Sequence, residues 1–241
     1  MVTIRTDDPL AIAVVDAIHA GDVEALQRML REHPSLATAR LGDDSDMTRT
    51  LLHVVTDWPG HFPNGAATVA ALVDAGADVN ARFTGPHTET PLHWAASSDD
   101  VDVLNALLDA GADIEAPGAV IAGGTPLTDA AAFGQWNVAR RLVERGATTP
   151  LREAAALGLM DRVEQYCSVR PTPDELTQAL WYACHGGQQA VAEYLLDRGA
   201  ELNWISTWDE LTPLDAARRS EADELVAWLR RRGAQSAAEL S

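Results

Sequence analysis

Residues 90–116 read "TPLHWAASSDDVDVLNALLDAGADIEA", and this stretch decides the fold. Thr90 followed by Pro91 is a helix start. The hydroxyl can cap a free backbone N–H, and proline at the first helical position has no N–H to leave unpaired. Gly111 is a helix end, suited to the left-handed residue past a last turn. Between them Val103, Leu104, Leu107 and Leu108 fall at helical spacing, so the interval holds two short helices. "SSDD" (97–100) is the turn joining them, with Asp99 or Asp100 capping the second.

The phrase recurs along the chain. Its ending returns as "LVDAGADVNAR" (72–82), "LVERGATTPLR" (142–152), "LLDRGAELNWI" (195–205) and a shortened "WLRRRGAQ" (228–235). Its opening returns as "TLLHVV" (50–55), "TPLTDAA" (125–131), "TPLREAA" (149–155) and "TPLDAAR" (212–218). Two helices this short cannot bury their apolar faces alone, so neighbouring units must stack.

The pattern resembles the ankyrin repeat over roughly residues 10–234. The resemblance implies an all-α solenoid of about six to seven helix-turn-helix units, with extended fingers between units and a concave face made by fingers and first helices. The units are an N-terminal cap (17–34), repeats near 48–82, 88–117 and 123–147, an irregular unit (148–172), a unit at 176–203 and a C-terminal unit (210–234). They make one repeat domain spanning 1–241, with no appended catalytic domain expected.

Three departures from the repeat carry the most information. Thr50 to Gly76 spans five residues more than Thr90 to Gly111, and the excess falls in "VTDWPGHFPNG" (55–65). Here Pro59 should stop the first helix and Asn64 should cap the second, with the aromatic residues facing the groove. Thr149 follows Gly146 with no room for a finger. That omission predicts a kink near residues 147–150, between an N-terminal block (10–147) and a C-terminal block (148–234). The finger "NWISTWDEL" (203–211) carries Trp204 and Trp208, where ankyrin fingers are usually small and polar.

Composition narrows the chemistry. The 241 residues are 46% apolar and 22% charged, as in a folded globular chain, and no run is long and apolar enough for a membrane helix. Two cysteines, Cys167 and Cys184, make no disulfide framework or zinc pair, and the acidic N-terminus lacks a signal-peptide pattern. A cytoplasmic protein is expected. The net charge of −18 repels nucleic acid, and residues 1–120 hold most of it, with 19 acids against 6 arginines. All 18 basic residues are arginine. Without lysine there is no Walker-type phosphate loop, no pyridoxal enzyme and no Schiff-base mechanism.

Candidate site residues follow from register. Trp58, Phe133 and His185 are expected on the groove side of first helices, with Phe62 and His61 overhanging it and the Trp204–Trp208 pair at its far end. These six, Trp58, Phe62, Phe133, His185, Trp204 and Trp208, are the expected partner-binding residues. His53 and His93 share one position of the opening phrase, and the resemblance implies that they are scaffold residues bonding within and between finger turns. His61 and His87 lie outside the repeat pattern, each with an acid nearby, Asp57 and Glu89. An Asp–His pair could serve as general base, and two histidines with a carboxylate could hold a metal. Local loop hydrogen bonds are the plainer role for both.

Two functions follow. One is a non-enzymatic interaction module, which the resemblance implies, binding a protein partner with a neutral or basic contact surface through groove and fingers. The chain would act as a monomer, with no cofactor or metal and no nucleic-acid or membrane partner. No standard catalytic motif is present: HExxH, GxSxG and GxGxxG are all missing. The other is a small-molecule or metal site, catalytic or not, beneath the 57–65 insertion. It would be built from Asp57, His61, His87 and Glu89, with Trp58 and His185 nearby.

Overall fold

The computed structural model describes residues 2–240. They fall into two units, Met1–Ala147 and Thr148–Ser241. The first contains four helical pairs: α1 (Pro9–Ala20) with α2 (Val23–Glu32), α3 (Leu51–Thr56) with α4 (Gly65–Asp74), α5 (Pro91–Ser97) with α6 (Val101–Asp109), and α7 (Pro126–Ala132) with α8 (Trp136–Glu144). The second contains α9 (Leu151–Ala156) with α10 (Met160–Ser168), α11 (Pro173–His185) with α12 (Gln189–Leu196), α13 (Pro213–Arg219) with α14 (Asp223–Arg231), and a last turn, α15 (Ala237–Leu240).

The helices begin as the threonine phrases demand. Thr50, Thr90 and Thr125 sit in extended backbone, and each closes a reciprocal capping box with the residue three places on: His53, His93 and Thr128. Thr172 does so with Glu175, and Thr212 with Asp215. Second helices end as Gly111 predicts. Its φ is +91°, and the next amide, Ala112 N–H, reaches back to Leu107 O at 2.9 Å.

Within the first unit α3, α5 and α7 pack side by side, as do α4 and α6. The leucine of each opening phrase, Leu52, Leu92 and Leu127, is wholly buried between them. Burying one such side chain contributes roughly 1.5–3 kcal/mol, so truncating Leu92 to alanine should cost about 2–5 kcal/mol. His53 and His93 are buried scaffold residues. Each Nδ1 accepts from the backbone N–H of its own threonine, and each Nε2–H donates across to the next finger, at Glu89 O (3.2 Å) and Gly124 O (3.4 Å).

The expected all-α repeat architecture holds, with one small sheet added and several details to correct. Strand β1 (Thr3–Arg5) pairs in parallel with β2 (Arg40–Gly42), which pairs antiparallel with β3 (Thr48–Thr50). Arg40 is buried against this sheet and donates to Thr48 O (2.8 Å) and Arg82 O (2.6 Å), tying it to the finger between α4 and α5. The N-terminal cap is a full pair, because Asp8 caps a helix that begins at Pro9. At the fourth threonine phrase α9 starts from Pro150, not from a Thr149 cap, and Thr149 Oγ1 accepts from Arg162 instead. Among the described residues no helix is long and apolar enough to cross a membrane.

Candidate functional site

The 55–65 insertion explains itself once its contacts are followed residue by residue. Asp57 ends α3 and pairs with Arg49. Trp58 comes next and is 82% exposed. From Gly60 onward the segment turns away from Trp58 and is fastened to the turns on either side. The His61 backbone N–H donates to Asp100 Oδ2, and its ring Nε2–H donates to Ser98 O, both at 2.9 Å. Phe62 stacks on His19 of α1, with ring centroids 4.3 Å apart. Asn64 Nδ2 donates to Gly21 O in the α1–α2 turn.

These contacts correct the expectation for the insertion. His61 and Phe62 do not overhang the same space as Trp58. They border a separate hollow of about 460 Å³ with Asp100 and Asp102. Asn64 precedes α4 but gives it no side-chain cap, because its amide is used on Gly21.

A smaller cleft of about 230 Å³ opens where α3, α5 and α7 end. Asp57, Trp58, Glu89, Trp94, Val120 and Phe133 line it. Phe133 is 47% exposed, at the end of α7, and Val120 is exposed too. Trp94 is held from behind, edge-on to His53 at 4.9 Å and tilted against Phe83 at 5.5 Å. Thr56, Ser97 and Ser98 also face the cleft, but their hydroxyls are spent on carbonyls of their own helices. The carboxyls are the polar groups left to act there.

Glu89 is 6% exposed, and its backbone is pinned by Phe83 N–H and His53 Nε2–H. One carboxyl oxygen accepts from Trp94 Nε1–H at 3.1 Å. Next to Glu89 lies Asp129, wholly buried in the first turn of α7. Asp129 Oδ1 accepts a long bond of 3.5 Å from Ile121 N–H, and Oδ2 has no donor around it. Two adjoining carboxyls can satisfy each other only when one carries a proton. Burial, and then the neighbouring Glu89 charge, push the Asp129 carboxyl up to about 8. Burial raises Glu89 too, partly offset by the Trp94 hydrogen bond. The pair therefore shares a proton at neutral pH and titrates as a unit.

The other candidates divide. His87 is half-buried and close enough to Glu89 to favour its charged form. His61 is committed to Ser98 and Asp100, so the set Asp57, His61, His87 and Glu89 does not form one cluster. Among the described residues no three His, Cys, Asp or Glu side chains gather to hold a metal. In the second unit His185 is 6% exposed, not groove-facing; its Nδ1 lies 3.2 Å from Ser220 Oγ and its ring 5.3 Å from Trp181. Trp204 and Trp208 join Trp181 and Tyr182 in an aromatic cluster, with Trp208 edge-on to Trp181 at 5.2 Å and 45% exposed. Arg219 lies 5.3 Å over Trp181 and pairs with Asp209 at 2.8 Å.

Sequence reasoning singled out neither Asp129 nor Trp94. A signal was available. Laying "TPLHWAA" over "TPLTDAA" puts Trp94 and Asp129 at one repeat position, on adjacent first helices. The aligned positions in the other phrases hold Val54, Glu153 and Ala216, all buried, so an acid at this place is a buried one.

A family model described as ankyrin repeats (3 copies) matches residues 10–153, and one described as ankyrin repeat matches 178–206. No curated protein matches. Among solved structures, the human ASB11 ankyrin repeat domain is similar, with a TM-score of 0.54 and 22% identity over 92% of this chain and 97% of that one. At that identity the likeness concerns the fold.

Proposed function

The chain belongs to the ankyrin-repeat family, and from that premise we propose that it is a non-enzymatic interaction module holding a protein partner through its groove and fingers. Ankyrin repeats generally serve as protein-binding modules. One observation carries the reading for this chain: Trp58 and Phe133, both exposed, share a largely apolar cleft with Trp94 and Val120, and Asp57 and Glu89 lie on its wall. Exposed aromatics that cluster around a concavity are the usual anchors of an interface. The partner's contact surface is neutral or basic, in keeping with the net charge of −18. The Trp204–Trp208 finger supplies a second contact. The module acts in the cytoplasm as a monomer.

Of the two acid–histidine pairs of the catalytic alternative, Asp57 and His61 are bonded to different partners, His61 to Ser98 and Asp100 and Asp57 to Arg49. The test is selection of displayed peptides on the full chain, repeated with Trp58→Ala, Phe133→Ala and a Trp204→Ala/Trp208→Ala double variant. Selected peptides should lose roughly tenfold or more in affinity on loss of a buried aromatic anchor. Peptides that bind all three variants as tightly as the parent would place the interface elsewhere.

A further inference from the structure

Resting on the interaction-module reading, we propose that the cleft between α3, α5 and α7 receives one cationic side chain of the partner, an arginine or lysine, held between the rings of Trp58, Trp94 and Phe133 with its charge against Glu89.

Size is the first argument. At about 230 Å³ the cleft lies below the ~300–1,000 Å³ of small-molecule pockets and suits a single long side chain. The walls are the second. Three aromatic rings line it, and ring faces attract a cation more strongly as water is excluded. Guanidinium also stacks flat on such rings. The third is the arrangement of polar groups. The neutral hydroxyls facing the cleft are already bonded within their helices, and Asp57 is paired with Arg49. That leaves Glu89, nine-tenths buried and reaching the cleft wall, backed by the donorless Oδ2 of Asp129. A proton between the two carboxyls balances them while the cleft is empty. An arriving cation supplies that positive charge in its place, so the proton leaves to solvent as the cation binds.

Recognition is therefore coupled to pH. The cation prefers the doubly ionised pair, which grows as pH rises from 6 towards 8, so affinity climbs by up to about tenfold per pH unit where one full proton is released. Other charged or titratable groups near the pair are His87 and Arg82 of the same finger, His53 and His93 in the first turns of α3 and α5, and Asp57 with Arg49. His53 and His93 are held neutral here, lowered by burial to about 3 and about 4. His87 is the competitor for the pH effect, and His87→Gln isolates it.

The experiment titrates the full chain with n-butylguanidinium and with its neutral isostere n-butylurea, reading the Trp94 indole N–H by NMR. That N–H is bonded to Glu89 and reports on the cleft directly. Butylguanidinium should shift this signal and bind at least about tenfold tighter than butylurea, in keeping with a desolvated cation–ring contact backed by a carboxylate. Glu89→Gln and Trp58→Ala should each weaken it severalfold while the rest of the spectrum is unchanged. The gain in affinity with pH should survive His87→Gln and vanish in Asp129→Asn. Equal binding of the two probes, or no shift at Trp94, overturns the proposal, as does a pH dependence that Asp129→Asn leaves intact. Peptides that need Trp58 but show no preference for arginine or lysine would overturn it while leaving the interaction module standing. Guanidinium binding without any selectable peptide would do the reverse.

Discussion

Replacing Asp129 by asparagine should raise stability, and by an amount that grows with pH. In the folded chain burial and then Glu89 raise this carboxyl from 3.8 to about 8. A raised acid holds its proton better folded than unfolded. Its contribution to stability is full at low pH and declines as pH rises from about 4 to about 8. His53 and His93 act with the opposite sign. Burial lowers them from 6.5 to about 3 and about 4, so what they contribute is full above pH 6.5 and declines as pH falls. The wild-type curve should therefore be domed, with its maximum near pH 6–7. Between pH 6.5 and 8 the Asp129 shift alone removes about 2 kcal/mol, at ~1.4 kcal/mol per unit and allowing for half-ionisation at the top of the range. Asparagine keeps the shape and can donate to Glu89 without binding a proton, so its curve should stay level or rise over that interval. Urea unfolding followed by circular dichroism at several pH values measures both curves. They should diverge by about 2 kcal/mol, equivalent to roughly 4–8 °C in Tm for a domain of 150–250 residues. Parallel curves would refute the shared proton, because a constant offset is what any other effect of the substitution would produce.

Three further outcomes are expected. Gly21→Ala should destabilise by more than 2 kcal/mol or so, because a Cβ there would stand 2.2 Å from Pro63 O at φ +67°, whereas Gly76→Ala meets open space and should cost only its backbone strain of about 1 kcal/mol; thermal melts of the two variants compare them directly. Phe62→Ala should lower stability by about 1–3 kcal/mol through loss of the His19 stack, while Trp58→Ala leaves the melt unchanged and lowers peptide binding; a stability loss at Trp58 matching that at Phe62 would show that both are packing residues. Under native conditions a thiol reagent should react with Cys167 and spare Cys184, whose thiol is buried and pushed well above its ordinary range by desolvation; rapid labelling of both would contradict that burial.

The helical pairs were legible because most first-helix starts and most second-helix ends are chemically marked. Threonine with a partner three residues on, and glycine after the last turn, are local features, and local features survive in a linear reading. The β1–β2–β3 sheet was not, because strands of three residues show no period and β1 pairs with a strand far along the chain, Thr3 against Arg40. The cleft was half legible. Trp58 and Phe133 were placed by register, and both line it. Asp129 escaped because its meaning lies in the preceding repeat: an acid in a helix reads as solvated until its neighbour on the adjacent unit is known. His185 failed for the opposite reason. Its register pointed outward, but the α11–α13 contact with Ser220 encloses it.

The contacts of the insertion also say why five additional residues serve the cleft without entering it. An exposed tryptophan on a mobile loop loses rotational and backbone freedom on binding, at about 0.5–1.5 kcal/mol for the side chain alone. Here the backbone on the far side of Trp58 is held by His61 on Ser98 and Asp100, and the segment beyond is stacked on His19 and bonded to Gly21. On the near side Asp57 is paired with Arg49. The additional residues thus act as a brace, and much of the ordering that binding would require of Trp58 is already done. Cutting that brace should weaken binding while the aromatic and acidic side chains of the cleft stay in place. In His61→Ala the ring's anchor to Ser98 O is lost, while the backbone bond to Asp100 and the Trp58, Glu89 and Phe133 side chains are retained, so affinity for a Trp58-dependent peptide should fall by about threefold to tenfold, the equivalent of one lost pre-ordered side chain. An unchanged affinity would mean that Trp58 is positioned by its partner and not by the fold.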